Sequence, residues 1–510
     1  MTSLAIGKSG VSAVKWSAAS TAVRFALQLG AQVALARVLG PEVFGIFAIG
    51  MVVLTFAGFV SGFGFSWSLL QRVELHDDDV RFAWTWQCAV GVITMVALYF
   101  CAPYLAAYFR ETRSQSVIEW LSIACLLNAA NSPAIYLLQR DLNFRAVGLI
   151  QVGSYALGYL AVGVPMALTG WGVQSLIAAW LVQALAQFVF GYALKPHPVR
   201  PLFWYPSARL AMGTGRAVFL TNIVNWLLNN LDRILIGRLL NATSLGLYNV
   251  AYNLATLPNS VLLGALQPAF TAAGARLQND HPRLARVYLQ MLATVCVLGF
   301  PAFAIFGLMS PDTVAFLYGD PWADAGWVLG ILFFAMPAYV IWGISTPILW
   351  NTQRKNMEFA LQLPLVAVGA AGFYLFAGQG ILQAAAVAAG LLVLRAVVIA
   401  AAAFKALHLQ LRDVLPEVAR GALLTLVAVA GALAAQRAVA TYDLPLLSLS
   451  AAGAAALGTL VALVLVWPAC LGEHTAAMLV RFVPALQPRL QRLNPVESGA
   501  LSKLKQETGS

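Results

Sequence analysis

Charge is scarce in this chain. Only 10% of its 510 residues are Asp, Glu, Lys or Arg, and 60% are hydrophobic. A soluble globular domain carries roughly 25% charged residues, so the apolar surface must go somewhere other than a water-filled exterior, and a bilayer is the ready destination. Long polar stretches are missing as well, which excludes a sizeable soluble domain. Cysteine is sparse: Cys88, Cys101, Cys125, Cys296 and Cys470 form no CxxC pair, and most sit inside apolar runs as small packed side chains. Catalytic signatures are lacking too. There is no HExxH, no GxSxG, no Walker motif and no acidic pair in a large extramembrane loop. The expectation is a protein without metal, resident cofactor or ATP site, drawing any work from a proton or sodium gradient or from the imbalance of its substrate. No compact signal peptide with a cleavage site precedes the first apolar stretch, which is expected to stay in the membrane.

What is present is a succession of apolar stretches near the roughly 20 residues that a spanning helix needs. They lie at 14–38, 43–70, 83–108, 117–138, 146–168, 173–194, 217–239, 246–270, 287–309, 325–350, 358–377, 380–404, 417–436 and 444–467. The fold class is therefore an all-α integral membrane protein of about 14 transmembrane helices. The net charge is +11, but the basic residues fall in the short gaps between spans, where they set orientation rather than bind nucleic acid. Of 31 Lys and Arg residues, 23 fall on the side of the N-terminus. Arg37, Arg110, Arg113, Arg238 and Arg437 fall on the other side, and Arg24, Arg233 and Arg395 lie within spans. That bias predicts both termini in the cytoplasm.

The longest internal gap, 196–216, holds Pro196, Pro198, Pro201 and Pro206 around Phe203, Trp204 and Tyr205. Prolines stop a spanning helix and the aromatic trio suits the headgroup level, so the gap reads as a linker on the cytoplasmic surface. It divides an N-terminal six-helix lobe (1–195) from a second one (217–406). Two additional spans (407–470) and a basic cytoplasmic tail (471–510) follow. In the loop His76 to Asp79 the carboxylates read as solvated partners of Arg72 and Arg81.

The two lobes resemble each other. RVLGPEVFGIF at 37–47 aligns without gaps on RLLNATSLGLY at 238–248, matching Arg37 to Arg238 and Gly45 to Gly246. SPAIYLLQR at 132–140 aligns on TPILWNTQR at 346–354, matching Pro133 to Pro347 and Arg140 to Arg354. An even number of helices per unit returns the chain to its starting side. The repeats are therefore expected to be parallel, around a central cavity, as in many transporters.

Polar groups in lipid are expensive, so their placement carries information. In the first span Ser17, Thr21, Arg24, Gln28 and Gln32 recur at three- and four-residue steps and share one face. In the seventh, Asn222, Asn225, Asn229 and Arg233 do the same; the repeat aligns Arg24 with Asn225, Gln28 with Asn229 and Gln32 with Arg233. Both faces are expected to meet water in the cavity. A guanidinium at mid-bilayer costs about 2.5–3.5 kcal/mol on insertion scales and forks onto phosphate bidentately. Arg24, Arg233 and Arg395 are the candidates for binding an anion; Gln28, Gln32, Asn222, Asn225 and Asn229 for hydrogen-bonding sugar hydroxyls. Asp232, the one acid clearly inside a span on this reading, is the candidate ion or charge relay. Each arginine has an alternative role as structural glue between helices.

The stretches ARVLGPEVFGIFAI (36–49), LLQRDLNFR (137–145), LDRILIGRLLNATSLGLYNVAYNLATLP (231–258) and LYGDPWADAGWVLGIL (317–332) resemble the bacterial polysaccharide repeat-unit flippases. These are O-antigen and exopolysaccharide exporters of the multidrug/oligosaccharidyl-lipid/polysaccharide superfamily. Asn241 stands where Gly40 suggests a glycine. The resemblance implies two six-helix bundles plus two C-terminal helices in the bacterial inner membrane. It also implies movement of undecaprenyl-diphosphate-linked oligosaccharide to the periplasmic leaflet by alternating access, with membrane lipids and polysaccharide polymerase or assembly proteins as partners. Of the cavity arginines of related lipid-linked precursor flippases, only Arg24 matches by position. Two other readings stay open: a multidrug antiporter of the same superfamily, which should hold carboxylates in its spans, and a membrane polymerase or glycosyltransferase, which should expose a large catalytic loop.

Overall fold

In a computed structural model, the structure describes residues 3–61, 66, 69, 75–205, 216–276, 280–352, 354–439, 445–472 and 475. Among them there are helices and connecting turns and no strand. The first helix, α1, runs Ser3–Ser61. As a straight rod its 59 residues would extend about 89 Å at 1.5 Å per residue, near three times a hydrocarbon core. It is broken at Gly40, whose φ of 72° and ψ of 173° lie outside the helical region, and Pro41 starts the next helical segment. Only glycine adopts that conformation without strain, and proline suits a first helical position because its missing N–H would be unpaired there anyway.

The following helices are α2 (Asp77–Phe109), α3 (Ser114–Arg140) and α4, which runs Phe144–Tyr155, widens into a π-helix over Ala156–Gly163 and ends at Val164–Leu168. Then come α5 (Val173–Leu194), α6 (Arg216–Leu239) and α7 (Ala242–Arg276). Helix α8 runs His281–Thr294, passes through a π-helical turn at Val295–Gly299 and continues over Phe300–Leu308. A short α9 (Ser310–Tyr318) precedes α10 (Ala323–Asn351), α11 (Lys355–Phe376), α12 (Ile381–Leu407), α13 (Leu415–Val439) and α14 (Pro445–Val466). Eleven described segments are long and apolar enough to cross a membrane. One of them, Ser20–Phe59, contains the break at Gly40 and so holds two expected spans. The more polar α6 and the helix α7 occupy the seventh and eighth expected positions.

The chain forms two compact units, Met1–Asn249 and Val250–Ser510. In the first, α2 packs on α3, α3 on α5, α1 on α3 and α4, and α6 on α1. In the second, α10 packs on α12 and α8, α11 on α12, and α13 on α14 and α8. The unit boundary falls inside α7 because α6 is held to α1. Phe56 and Trp226 have ring centroids 4.9 Å apart. Gly45 and Gly246, the glycines paired by the repeat, lie against each other's segment. A Cβ on Gly45 would overlap the Ala242 carbonyl, and one on Gly246 would overlap the Pro41 carbonyl. Pro41 and Ala242 are themselves repeat equivalents, so the contact is reciprocal, as a local two-fold relation requires.

The described part of the linker is strapped to the start of α2. The Leu202 N–H donates to Thr85 Oγ1 at 2.9 Å and the Trp86 indole donates to the Phe203 carbonyl at 3.0 Å; just before the linker, Lys195 pairs at 2.6 Å with Asp141 at the end of α3. Phe203 and Trp204 remain exposed. The loop 76–79 is not simply solvated. Asp79 is buried, accepts the His76 N–H in a capping box, and accepts the Tyr205 hydroxyl at 2.5 Å. Asp78 does pair with Arg81, at 2.9 Å, while Arg72 lies outside the described residues.

Candidate functional site

The polar face of α1 is positioned by α4. Gly148 sits so close to Ser20 that a Cβ there would press on the serine. One turn on, Arg24 Nη1 donates to Gln151 Oε1 at 3.1 Å. Arg24 is half-buried, and no acid forms an ion pair with it among the described residues. Its other N–H groups keep the capacity for an anion. Gln28 is exposed, and Gln32 is half-buried with its Nε2 enclosed and without a hydrogen-bond partner. Nearer the N-terminus, the Arg145 guanidinium lies 5.0 Å over the Trp16 ring.

On α6, Asn225, Asn229 and Arg233 are half-buried, while the Asn222 side chain lies outside the described ones. Arg233 Nη1 donates to Asn230 Oδ1 at 3.0 Å. Asp232 is buried; Oδ2 accepts the Tyr248 hydroxyl at 2.6 Å and Oδ1 accepts the Arg233 backbone N–H at 2.8 Å. The carboxylate therefore ties α6 to α7 within the first unit, and Tyr248 is wholly enclosed.

Arg395 stands in the second unit, in different surroundings. It is 1% exposed, its Nε donates to Gln362 Oε1 at 2.8 Å, and its guanidinium lies 3.8 Å from the Trp342 ring centroid. Gln362 in turn donates to Glu358 at 2.8 Å, and the Trp350 indole donates to the other Glu358 oxygen at 2.6 Å. Glu358 is 0% exposed, so Asp232 is not the only deeply placed acid. Glu358 is the first residue of the expected eleventh span. Thus Arg24, Gln28 and Gln32 share one face of α1, Asn225, Asn229, Asp232 and Arg233 lie together on α6, and Arg395 belongs to a network of its own. Gln151, Glu358 and Gln362 were not singled out by sequence. A polar residue inside an apolar run was the available signal.

Outside the spans, Arg113 pairs with Glu42 at 2.7 Å and with Glu111 at 2.9 Å. The hydrogen bond from Arg113 holds the Glu111 carboxyl below its ordinary range. Helix, loop and acid are thereby joined beyond the end of α2 opposite to the one that holds the linker.

The chain is similar to known proteins in sequence and in fold. The pattern of one family, described as polysaccharide biosynthesis protein, matches residues 34–326. The chain belongs to that family. It is 26% identical over 328 residues to the lipopolysaccharide biosynthesis protein WzxC of Escherichia coli, covering 63% of this chain and 66% of that one. It is 26% identical over 335 residues to the succinoglycan biosynthesis transport protein ExoT of Rhizobium meliloti, covering 66% of each. The match thus spans just under two thirds of these relatives. Among solved structures, the lipid II flippase MurJ in an inward closed conformation shares the fold, with a TM-score of 0.69 at 12% identity. The likeness covers 88% of this chain and 99% of that one.

Proposed function

We propose that this protein is a transporter, not an enzyme, that carries undecaprenyl-diphosphate-linked oligosaccharide repeat units from the cytoplasmic to the periplasmic leaflet for surface polysaccharide assembly. The observation that carries the reading is Arg24: a guanidinium in the middle of a spanning helix, half-buried, steadied by Gln151 and without an acid in ion-pair contact among the described residues. Such a group is expensive in a bilayer and is justified by a recurrent anionic ligand. A diphosphate offers the oxygens that a guanidinium fork matches. Family membership and the names of the relatives, which concern lipopolysaccharide and succinoglycan, favour a glycan as the cargo.

In this mechanism Arg24, helped by Arg233, holds the diphosphate. Gln28, Gln32, Asn222, Asn225 and Asn229 bond sugar hydroxyls, and the polyprenyl tail stays in lipid. The two lobes rock around the bound head group in alternating access. Asp232, bonded to Tyr248, is the relay for a coupling ion. The protein sits in the inner membrane with both termini inside and hands its cargo to polymerase or assembly proteins. An Arg24→Ala variant, tested by complementation of a strain that lacks the gene, is expected to lose surface polysaccharide at normal protein level. Arg24→Lys keeps part of it. Full export by Arg24→Ala would remove Arg24 from the mechanism. The excess of arginine over carboxylate in the spans argues against a drug-cation antiporter.

A further inference from the structure

Three helices of the first unit bring unsatisfied polar groups to one level. The register of α1 against α4 is set by Ser20 on Gly148 and Arg24 on Gln151. Helix α1 climbs about 1.5 Å per residue, as does α4 as far as Tyr155. Four residues beyond Arg24 and Gln151 stand Gln28 and Tyr155; eight residues beyond stand Gln32 and Tyr159. From the other side Gly158, the residue before Tyr159, abuts α5 so closely that a Cβ there would overlap the Ala179 carbonyl and press on Gln183.

Gln32 Nε2, Gln183 Oε1 and Trp180 Nε1 are enclosed and have no hydrogen-bond partner. Tyr155 and Tyr159 stack with centroids 4.5 Å apart and planes 11° apart, and neither hydroxyl has a partner among the described residues. The backbone that presents them is π-helical over Ala156–Gly163, a widening that gathers at functional sites. Leaving enclosed polar groups unpaired inside a bilayer is costly. A ligand that relieves an unpaired N–H and an unpaired C=O at one level must both donate and accept. A sugar hydroxyl does both. The C–H face of a pyranose ring also suits the electron-rich face of a tyrosine ring.

We propose that Gln28, Gln32, Tyr155, Tyr159 and Gln183 form a wall that binds a pyranose ring of the cargo within the first unit. The site rests on the function proposed above and extends it. Eight residues of helix separate Arg24 from the level of Gln32, about 12 Å, which leaves room for the diphosphate and the first sugars.

The test uses the full chain in lipid nanodiscs and two probes: undecaprenyl diphosphate, and the same lipid bearing the repeat unit, extracted from the producing strain. The wild type is expected to bind the glycosylated lipid at least tenfold more tightly than the bare one. Tyr159→Leu combined with Gln32→Leu is expected to erase that preference while binding of the bare lipid stays unchanged. Tyr159→Phe keeps most of the preference. If the leucine variant does not accumulate, Gln32→Asn and Gln183→Asn replace it, each with an expected loss of at least threefold in the preference. An undiminished preference in these variants overturns the wall and leaves the flippase reading intact. Equal binding of the two lipids by the wild type does the same. Failure of the wild type to bind either lipid overturns both.

Discussion

Of the arginines inside spanning helices, Arg24 and Arg395 live differently. Arg24 has one amide partner, is half open, and has neighbours whose polar atoms are unpaired. Arg395 is enclosed, rests on Trp342, and is linked through Gln362 to Glu358, whose two oxygens both accept hydrogen bonds. The second arrangement is closed. The Arg395 Nε, the Gln362 amide and both Glu358 oxygens are answered within α10, α11 and α12, although the Trp342 indole N–H has no partner, and a ligand would have to break those bonds to enter. The first arrangement is open and has capacity left over. A bilayer tolerates a charged side chain in either form, but only the open form offers an anion something to gain.

The largest effect is expected from breaking the closed network. Glu358→Ala takes away the acid at the end of the Arg395–Gln362 chain and leaves the buried Gln362 amide and Trp350 indole donors unpaired, at about 1–3 kcal/mol each. The protein should accumulate poorly and melt far below the wild type in detergent. The double variant Glu358→Gln with Arg395→Met should recover much of that loss, because it removes both charges together. A melting curve of each variant checks this. If Glu358→Ala melted normally, the network would not hold these three helices together. Arg24→Ala, by contrast, should melt like the wild type and fail only in export.

Sequence made the two arginines look alike, and the reason is physical. Spacing along a helix shows which residues share a face, so the stripe Arg24, Gln28 and Gln32 was legible. It does not show what that face meets. Gln151 is far away in sequence and reaches Arg24 only because Gly148 lets α4 approach Ser20. The spans themselves were legible because length and hydropathy are local properties. The equivalence of Gly45 and Gly246 was also legible, since duplication left them in the same local pattern, but their reciprocal contact was not. The burial of Asp79 was missed although its cue was local: it stands three residues after His76, at the spacing of a capping box. The partner that completes its burial, Tyr205, comes from the linker.

An intermediate effect is expected at the glycine crossing. Gly45→Ala places a methyl group into the Ala242 carbonyl, and Gly246→Ala does the same at Pro41. Backbone cannot yield as a flexible side chain does, and overpacking of this kind costs about 1–3 kcal/mol. Because the contact is reciprocal, the two single variants should lower the melting temperature by similar amounts. A large inequality would break the two-fold relation between the repeats at this point. On the open stripe, Gln151→Leu should change stability less, about 0.6 kcal/mol, the average for a hydrogen bond between membrane helices. Export should fall much more than stability, because Arg24 loses its support.

The smallest effect belongs to the linker and depends on pH. His197 is buried, with its ring edge-on to Tyr192 at 5.4 Å and its Nε2 without a partner. Burial holds its pKa below the ordinary value of 6.5, and the Pro198 carbonyl offsets only part of that. The folded strap therefore favours the neutral ring. Above the ordinary value both the docked and the released linker carry a neutral His197, and pH has no leverage through this residue. As pH falls through 6.5 the released form takes up a proton first, so docking weakens, and it goes on weakening until the docked ring is protonated as well. Hydrogen exchange of residues 195–205 should accordingly quicken between pH 7.5 and 5.5 beyond the intrinsic rate, while exchange around Arg395 stays unchanged. His197→Phe keeps the packing against Tyr192 and should remove the effect. Equal acceleration in that variant would move the sensitivity to another group.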